Sequence, residues 1–399
     1  MKTARRDFLK AAPLILPATA RGANDRPAYG LIGSGIRGRF LNRLCQKNGA
    51  QCVAVCDVYE PNLQFGLKDS PGAKGYVDSR ELLGQKGTDF VIIATPDHHH
   101  CPQLLDALAA GKDVFLEKPM SHSLAESARM VAAVRKTKHI VQVGMHRRSS
   151  PAMFQAKKVI EDGTLGRITM IRTQWKGNYG RPKDVPLEGK LDWERFLGPA
   201  PRRPLDPFRF RRWRSFWDYA GGNTTDQGTH LMDVIQWFTG SGAPRAAVMI
   251  GQVAKMVGGE APDAFCAVFE YPNFVATFTL NYSNDYQTHW SFEFQGDRAT
   301  LLIDDQGFSV YEEPPMRALI TRAWWNEHSK PVTQVAARVI DEDHVKNFLE
   351  CIRSRQEPTA TVEIGASAVA APHLANIAYR RGTWVKLAAD AVAVNFPGG

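Results

Sequence analysis

The chain reads as an α/β protein in two parts: an N-terminal doubly wound parallel sheet, then a C-terminal α/β part built on an open, mostly antiparallel sheet. Three observations point there. Short apolar runs alternate with helix-like segments as far as Gly144, as parallel strands buried on both faces require. The first run, Tyr29 to Ile32, leads into Gly33-Ser-Gly35-Ile36-Arg37-Gly38, a G-x-G-x-x-G spacing at a helix start. Beyond Pro151 the texture changes to partly alternating runs with short connections such as Tyr271-Pro-Asn-Phe274, which suit antiparallel neighbours.

The elements follow in order. Gly33 permits a tight turn, Gly35 lets a pyrophosphate approach the backbone, and Gly38 lets helix and strand pack closely. The helix from Ile36 to Gln46 then presents free N–H groups to the anion. A second strand, Cys52 to Cys56, ends in Asp57, about 20 residues on, where an acid binds ribose hydroxyls. A solvated strand-end aspartate is the structural alternative. Pro61 to Lys68 is helix-like, Tyr76-Val77 a short strand, and Glu81 to Gln85 a helix. Asp89 to Pro96 is an apolar strand ended by proline, Cys101 to Ala110 a helix stopped by Gly111, and Asp113 to Leu116 the next strand. Leu124 to Lys136 and Ile140 to Gly144 complete this part as helix and strand.

In the second part Ala152 to Asp162 is a helix and Arg167 to Lys176 a strand. Asn178 to Phe210, rich in Pro, Gly and Arg, is a long excursion of the kind that is usually functional or interface-forming. A helix at Asp226 to Phe238 precedes strands at Pro244 to Met256, Ala264 to Tyr271, Phe274 to Tyr282, Trp290 to Gln295, Ala299 to Ile303 and Phe308 to Tyr311. Two closing helices, Asp343 to Ser354 and Ile364 to Arg381, are expected to pack back between the parts.

The 399 residues, 44% hydrophobic, suffice for a large core, and the net charge of +9 favours anionic ligands only weakly. No apolar run approaches the ~20 residues of a membrane span. Ala4-Arg-Arg-Asp-Phe-Leu-Lys10, the apolar Ala11 to Leu16 and Ala18-Thr19-Ala20 have the order of a twin-arginine signal peptide with its cleavage site. A basic amphipathic leader without export function is the alternative. The expected boundaries are 1–25 for the signal, 26–148 for the first domain and 149–399 for the second. A periplasmic destination follows, with any dinucleotide carried across inside the folded protein. Of the six cysteines, Cys52, Cys56 and Cys266 lie in apolar runs, where the thiol acts as a small hydrophobe. No disulfide framework and no metal site is expected, since no CxxC pair occurs and His98, His99, His100 and Cys101 point in different directions.

Two stretches carry chemistry. Glu117-Lys118-Pro119 stands at the C-terminal edge of a parallel strand, the edge beside which such sheets bind ligands. Asp226 and His230 stand four apart and project from one helix face. A carboxylate there fixes the imidazole tautomer for acid/base work, with Asp233 as an extension. A capping aspartate and a core histidine are the bland alternative.

The glycine pattern, Ala94-Thr95-Pro96-Asp97-His98-His99-His100, Glu117-Lys118-Pro119 and Asp226 to His230 together resemble the Gfo/Idh/MocA family (glucose-fructose oxidoreductase, inositol dehydrogenase, rhizopine catabolism). The resemblance spans essentially the whole mature chain. It implies a Rossmann domain and a C-terminal sheet whose exposed face binds sugar or joins subunits into a homo-oligomer. It also implies NAD held by Gly33, Gly35, Ile36, Arg37, Gly38, Asp57, Thr95, Pro96, His100, Glu117 and Lys118, and a catalytic set of Lys118, Asp226 and His230. His230 would be the acid/base, oriented by Asp226, and Lys118 would bond the reacting oxygen. Asp57 favours NAD over NADP, although Arg39 or Arg43 could reach a 2′-phosphate. Asp97 departs from the family's usual asparagine. His146 and Arg147 follow the last strand, where substrate contacts arise. Trp193, Arg214 and Trp217 belong to a basic-aromatic stretch. Such a stretch could bind single-stranded nucleic acid, but beside the catalytic candidates it better suits sugar platforms and clamps for anionic groups. Packing and dimer contact is an even alternative.

The combined reading is an exported NAD-dependent oxidoreductase acting on a carbohydrate or polyol C–OH, possessing a tightly bound, recycled cofactor and a substrate that can be anionic. One rival is a redox-neutral cycle, coupling two sugars or cleaving a glycoside by oxidation, elimination, hydration and reduction. Another is a non-catalytic sugar or dinucleotide binding protein.

Overall fold

The computed structural model describes residues 26–178, 186–286, 289–313 and 330–387. The twin-arginine segment lies outside the described residues, as do positions 179–185 of the excursion. In the first domain the strands are β1 (Ala28–Ile32), β2 (Gln51–Cys56), β3 (Lys74–Tyr76), β4 (Phe90–Ile93), β5 (Asp113–Leu116) and β6 (Val141–Val143), and the helices α1 (Ile36–Lys47), α2 (Glu60–Lys68), α3 (Ser79–Leu83), α4 (His100–Ala109) and α5 (Leu124–Val134). All six strands pair in parallel in the order β3-β2-β1-β4-β5-β6. β4 and β5 are buried at every position, which explains their apolar sequences, broken only by Asp113 at the start of β5, whose carboxylate pairs with Arg355. Ile32 lies opposite Cys56 and Ile93, Ile93 opposite Leu116, and Leu116 opposite Val143. The register therefore delivers Gly33, Asp57, Ala94, Glu117 and Gly144 to one sheet edge. The strand order reverses between β1 and β4, where such sheets open a ligand crevice.

The second domain contains α6 (Pro151–Glu161), β7 (Ile168–Asn178), α7 (Trp193–Leu197), α8 (Pro207–Arg211), α9 (Gly222–Thr239), β8 (Ala246–Gln252), β9 (Ala264–Glu270), β10 (Val275–Asn281), β11 (Ser283–Asn284), β12 (Trp290–Gly296), β13 (Ala299–Asp304), β14 (Gly307–Glu312), β15 (Thr333–Ala336), α10 (Glu342–Ser354), α11 (Val362–Arg381) and β16 (Val385–Lys386). The main path is β15-β14-β13-β12-β7-β10-β9-β8-β16, and β11 pairs with β7. The expected antiparallel pairing holds except at β7 and β10, which run parallel. Ile171, Phe278, Phe292 and Phe294 on the inner face share one core with Leu231, Val234, Ile235 and Phe238 of α9 and with Leu374 of α11. The outer face exposes Met170, Ile250 and Val275. Cys266, expected to act as a small hydrophobe in an apolar run, faces outward and is exposed, while the other five cysteines are buried thiols.

The closing helices behave differently from one another. α11 packs against α9 and β8 on one side and α5 and β6 on the other, bridging the domains as expected. α10 instead completes the first domain: Val345, Phe348 and Leu349 join Tyr29, Phe90 and Phe115 in one apolar cluster, with Phe348 edge-on to Phe90 at 5.2 Å.

Candidate active site

At the reversal point a cavity of about 990 Å³ opens along the glycine loop, lined by Gly33, Gly35, Ile36, Arg37, Asp57, Thr95 and Pro96 among others. Gly33 has φ 88°, and a Cβ there would stand 2.7 Å from the Ala94 carbonyl oxygen. A Cβ on Gly38 would collide with the Gly33 carbonyl oxygen. Around the Cβ direction of Gly35 there is no described atom within 4 Å, so at this point the backbone is bare toward the cavity. Asp57 Oδ2 accepts from the Ser34 amide at 2.8 Å, and Oδ1 from the Tyr59 amide at 2.9 Å. Burial, only partly opposed by these bonds, pushes its carboxyl up to about 6. A bare glycine turn, free N–H groups at the start of α1 and an acid at the end of β2 fit a dinucleotide. Arg43 pairs with Asp69 at 3.0 Å and Arg39 lies over Phe65 at 4.8 Å, so both have partners on α2 or at its end.

The excursion straps this cavity from the other side. Leu191 bridges to Tyr59, the Glu60 amide donates to the Lys190 carbonyl at 2.8 Å, and the Asp192 amide donates to the Val58 carbonyl at 2.9 Å. Phe196, Gly198, Phe210, Trp213 and Arg214 then form part of the cavity wall. Trp193 is not a sugar platform: it stacks on Phe196 at 5.0 Å, donates from Nε1 to the Arg203 carbonyl at 2.7 Å and is buried with Phe216 and Tyr219. Trp217 is likewise elsewhere, with its ring beside Tyr379 and the Arg380 guanidinium. The basic residues around them are largely paired, Arg203 and Arg209 both reaching Asp218. Packing accounts for most of the basic-aromatic stretch.

Arg214 is the exception, because it joins the cavity to the catalytic candidates. Its Nε lies 3.3 Å from Asp226 Oδ2, and Lys118 Nζ donates to Asp226 Oδ1 at 2.7 Å and to the Asp226 carbonyl at 2.9 Å. The expectation that Asp226 orients His230 is therefore corrected: the carboxylate is turned across the domain boundary, where two cations outcompete a neutral ring. Burial would raise the Asp226 carboxyl, but Lys118 and then Arg214 more than offset that and hold it well below the usual range. Asp233 also faces away from His230, pairing with Arg148 at 2.6 Å.

His230 stands one helical turn beyond Asp226, 7% exposed, with its ring 5.0 Å from that of His146 and stacked 6.2 Å from Trp175. Burial first, then the charges of Lys118 and Arg147, hold its imidazole well below the ordinary value, so the ring is neutral at pH 7. His146 is pushed down to about 3 by burial, against the pull of Asp341. Glu117 accepts from Arg37 Nε at 2.7 Å, and the far end of Arg37 reaches Asp341 at 2.5 Å. Arg37 thus ties the glycine loop both to the Glu117-Lys118 turn and to the start of α10. His100 is corrected from cofactor contact to brace: it is buried, with Nδ1 2.8 Å from the Pro119 carbonyl and Nε2 2.9 Å from that of Thr95. Asp97 is 2% exposed. Burial and then the Asp226 charge push its carboxyl up to about 8, so it keeps its proton at neutral pH.

Asp341, Trp175 and Trp290 were not singled out from sequence. The strand patterns place both tryptophans in β-structure, but only the register, in which Trp290 pairs with Trp175, sets them side by side, with Trp175 stacked on His230. Nothing in sequence marks Asp341.

Two family models match. The Gfo/Idh/MocA oxidoreductase model for the NAD-binding Rossmann fold covers residues 28–145, and that for the C-terminal α/β domain covers 157–387. An inositol 2-dehydrogenase of Salmonella paratyphi B is 35% identical over 161 residues, 39% of this chain and 47% of that one. The chain spans about half the length of the first curated relatives it matches. The inositol 2-dehydrogenase of Corynebacterium glutamicum is 23% identical over 71% of this chain and 73% of its own. Among solved structures, the WlbA dehydrogenase of Bordetella pertussis, in complex with NADH and UDP-GlcNAcA, shares the fold at TM-score 0.69 and 21% identity, covering 91% of this chain and 99% of that one. A levoglucosan dehydrogenase in complex with NADH and levoglucosan does so at TM-score 0.69 and 19% identity, with the same coverage.

Proposed function

For a chain that belongs to the Gfo/Idh/MocA oxidoreductase family, we propose oxidation of a carbinol group on a carbohydrate or polyol. The observation that carries this reading is the Lys118–Asp226 pair, closed across the two domains at 2.7 Å and one helical turn from a neutral buried histidine. Bound along the glycine loop, NAD supplies the hydride acceptor. The protein's own groups handle the proton and the charge. An ammonium has three N–H groups, and two of those on Lys118 go to Asp226, which leaves the third for the substrate oxygen. His230, kept neutral, takes the hydroxyl proton as the carbonyl forms. Asp226 holds the ammonium in place, and Arg37 and Glu117 tether the Lys118 turn to the glycine loop. NAD is favoured over NADP because the buried Asp57 carboxylate would face a 2′-phosphate.

The strap over the cavity supports a finer reading, a cofactor retained and recycled through a redox-neutral cycle, of which glycoside cleavage is one form. Export by the twin-arginine route is part of the same proposal, because a retained cofactor needs no external pool. The exposed Ile250, Met170 and Val275 support self-association through the sheet face, which light scattering of the purified protein would measure. The functional test is a carbohydrate and glycoside panel with product analysis, run with and without added NAD, on protein whose released cofactor is identified by mass spectrometry. Stoichiometric consumption of added NAD marks a plain dehydrogenase, and repeated aglycone release without it marks the cycle. Ligand binding with no product across the panel would leave a binding protein. Fractionation of cells making the full chain or an Arg5→Lys, Arg6→Lys variant tests export.

A further inference from the structure

Beside His230 lies a guanidinium that, among the described residues, rests on aromatic rings but has no hydrogen-bond acceptor for its buried nitrogens. Arg147 is 3% exposed, its Cζ stands 4.4 Å from the ring centre of Trp290 and 5.6 Å from that of Trp175. Its Nε and Nη1 are buried, and among the described residues neither has an acceptor. The two acids whose charges reach it are Asp341 and Asp233. Both are already ion-paired, Asp341 with Arg37 at 2.5 Å and Asp233 with Arg148 at 2.6 Å. Its neighbours share part of the deficit: Trp175 Nε1 is buried without a hydrogen-bond partner, and His146 Nδ1 has only Asp341 Oδ1 near it, at 3.6 Å and too far for a hydrogen bond. Unpaired buried donors, and above all an unpaired buried cation, are strongly unfavourable in a folded chain. Several of them gathered around the ring assigned the proton transfer imply a ligand group that completes them.

That group has a definable chemistry. It must accept from a planar, permanently charged fork, which carboxylates match in geometry and charge. It must also fit between indole rings whose faces are already given to Arg147 and His230. We propose that Arg147 is the anion clamp of the substrate site and that the carbohydrate bound here carries a carboxylate, as uronic and aldonic acids do. The proposal rests on the carbohydrate reading above and narrows it. It also assigns the carboxylate a part in the proton transfer. Lys118, Arg147, His146 and Arg37 all disfavour a charged His230 ring, and a bound anion offsets them as the proton arrives.

The test reads binding rather than turnover, so that it stands apart from the hydride reading. NAD-loaded protein is titrated calorimetrically with D-glucuronate against D-glucose, D-galacturonate against D-galactose, and D-gluconate against D-glucitol, with D-glucose 6-phosphate as the competing anion. At least one acid should bind about 10- to 100-fold more tightly than its neutral partner, the range for a charge-assisted hydrogen-bonded pair. Arg147→Met should abolish that preference and leave NAD affinity unchanged, whereas an arginine that only packs on the Trp290 and Trp175 rings would leave the preference intact. Should the Met variant fail to fold, Arg147→Lys reads the same preference, which should shrink with the loss of the planar fork. Equal binding of acids and neutral partners, a preference that survives the substitution, or a phosphate ester that outcompetes every carboxylate would overturn the proposal. Acid-selective binding without any hydride transfer would support the clamp and remove the oxidoreductase reading instead.

Discussion

Replacing Asp226 by Asn removes one charge and keeps the shape, which makes it a sensitive test of the inter-domain pair. In the wild type that charge meets Lys118 at 2.7 Å and Arg214 at 3.3 Å, with the Lys118 and Asp226 side chains 13% and 12% exposed. Removing one partner of so buried a pair costs about 3–5 kcal/mol. The amide still offers Lys118 a carbonyl oxygen, and Arg214, 47% exposed, recovers water, so the low end of about 3 kcal/mol applies. With an unfolding entropy of about 2.1 cal/mol/K per residue, this lowers the Tm of a 399-residue chain by roughly 4 °C. The pH dependence has a definite sign. Because the folded-state carboxyl is held below its ordinary value, its contribution is complete above the unfolded value near 4 and is lost as pH falls. The deficit should therefore be constant from about pH 6 to 8 and close only below about pH 4. Turnover should fall by about 100-fold or more as Lys118 loses its anchor. Scanning fluorimetry across pH, paired with initial rates, measures both. A variant as stable and active as wild type, or a deficit that widens in acid, would refute the reasoning.

Gly35→Val should fold normally, since its Cβ meets no described atom within 4 Å, yet lose NAD affinity by about 100-fold or more as the side chain fills the pyrophosphate approach; undiminished binding by calorimetry would count against the cradle. Asp57, pushed up to about 6 by burial, must be ionised to accept ribose hydroxyls. NAD affinity should fall by up to about tenfold per pH unit below that point, and the fall should vanish in Asp57→Asn. His230, held well below its ordinary value by burial and then by Lys118 and Arg147, is already deprotonated where a free histidine would titrate. The oxidation rate should hold its plateau down through about pH 6.5 before it declines, and His230→Asn should lose turnover while retaining NAD.

The first domain was legible because most of its strands are dominated by apolar residues and its loop glycines serve one backbone geometry, so composition and position carry the same information. The Lys118 and Asp226 stretches were legible as chemistry, but their partnership was not. Spacing along a helix shows that Asp226 and His230 share a face; it does not show that Lys118, from another domain, claims the carboxylate first. Trp193 and Trp217 misled because an aromatic-basic run looks the same whether it stacks on sugars or on its own rings. Arg147 could be placed near the site from sequence, yet its lack of a hydrogen-bond acceptor among the described residues depends on where Asp233 and Asp341 spend their charges. The return of α10 to the first domain is a three-dimensional fact with no local signature, since an amphipathic helix does not name the sheet it covers.

In the proposed reaction a hydride leaves a carbinol carbon of the sugar for a nicotinamide lodged on the glycine loop. Protein loaded with unlabelled NAD and mixed with a perdeuterated form of whichever sugar acid or neutral sugar binds tightest should yield reduced cofactor one deuterium heavier by mass spectrometry, and Lys118→Ala should leave NAD bound and unlabelled. A sugar oxidised in wild type while the recovered cofactor carries no deuterium would contradict it.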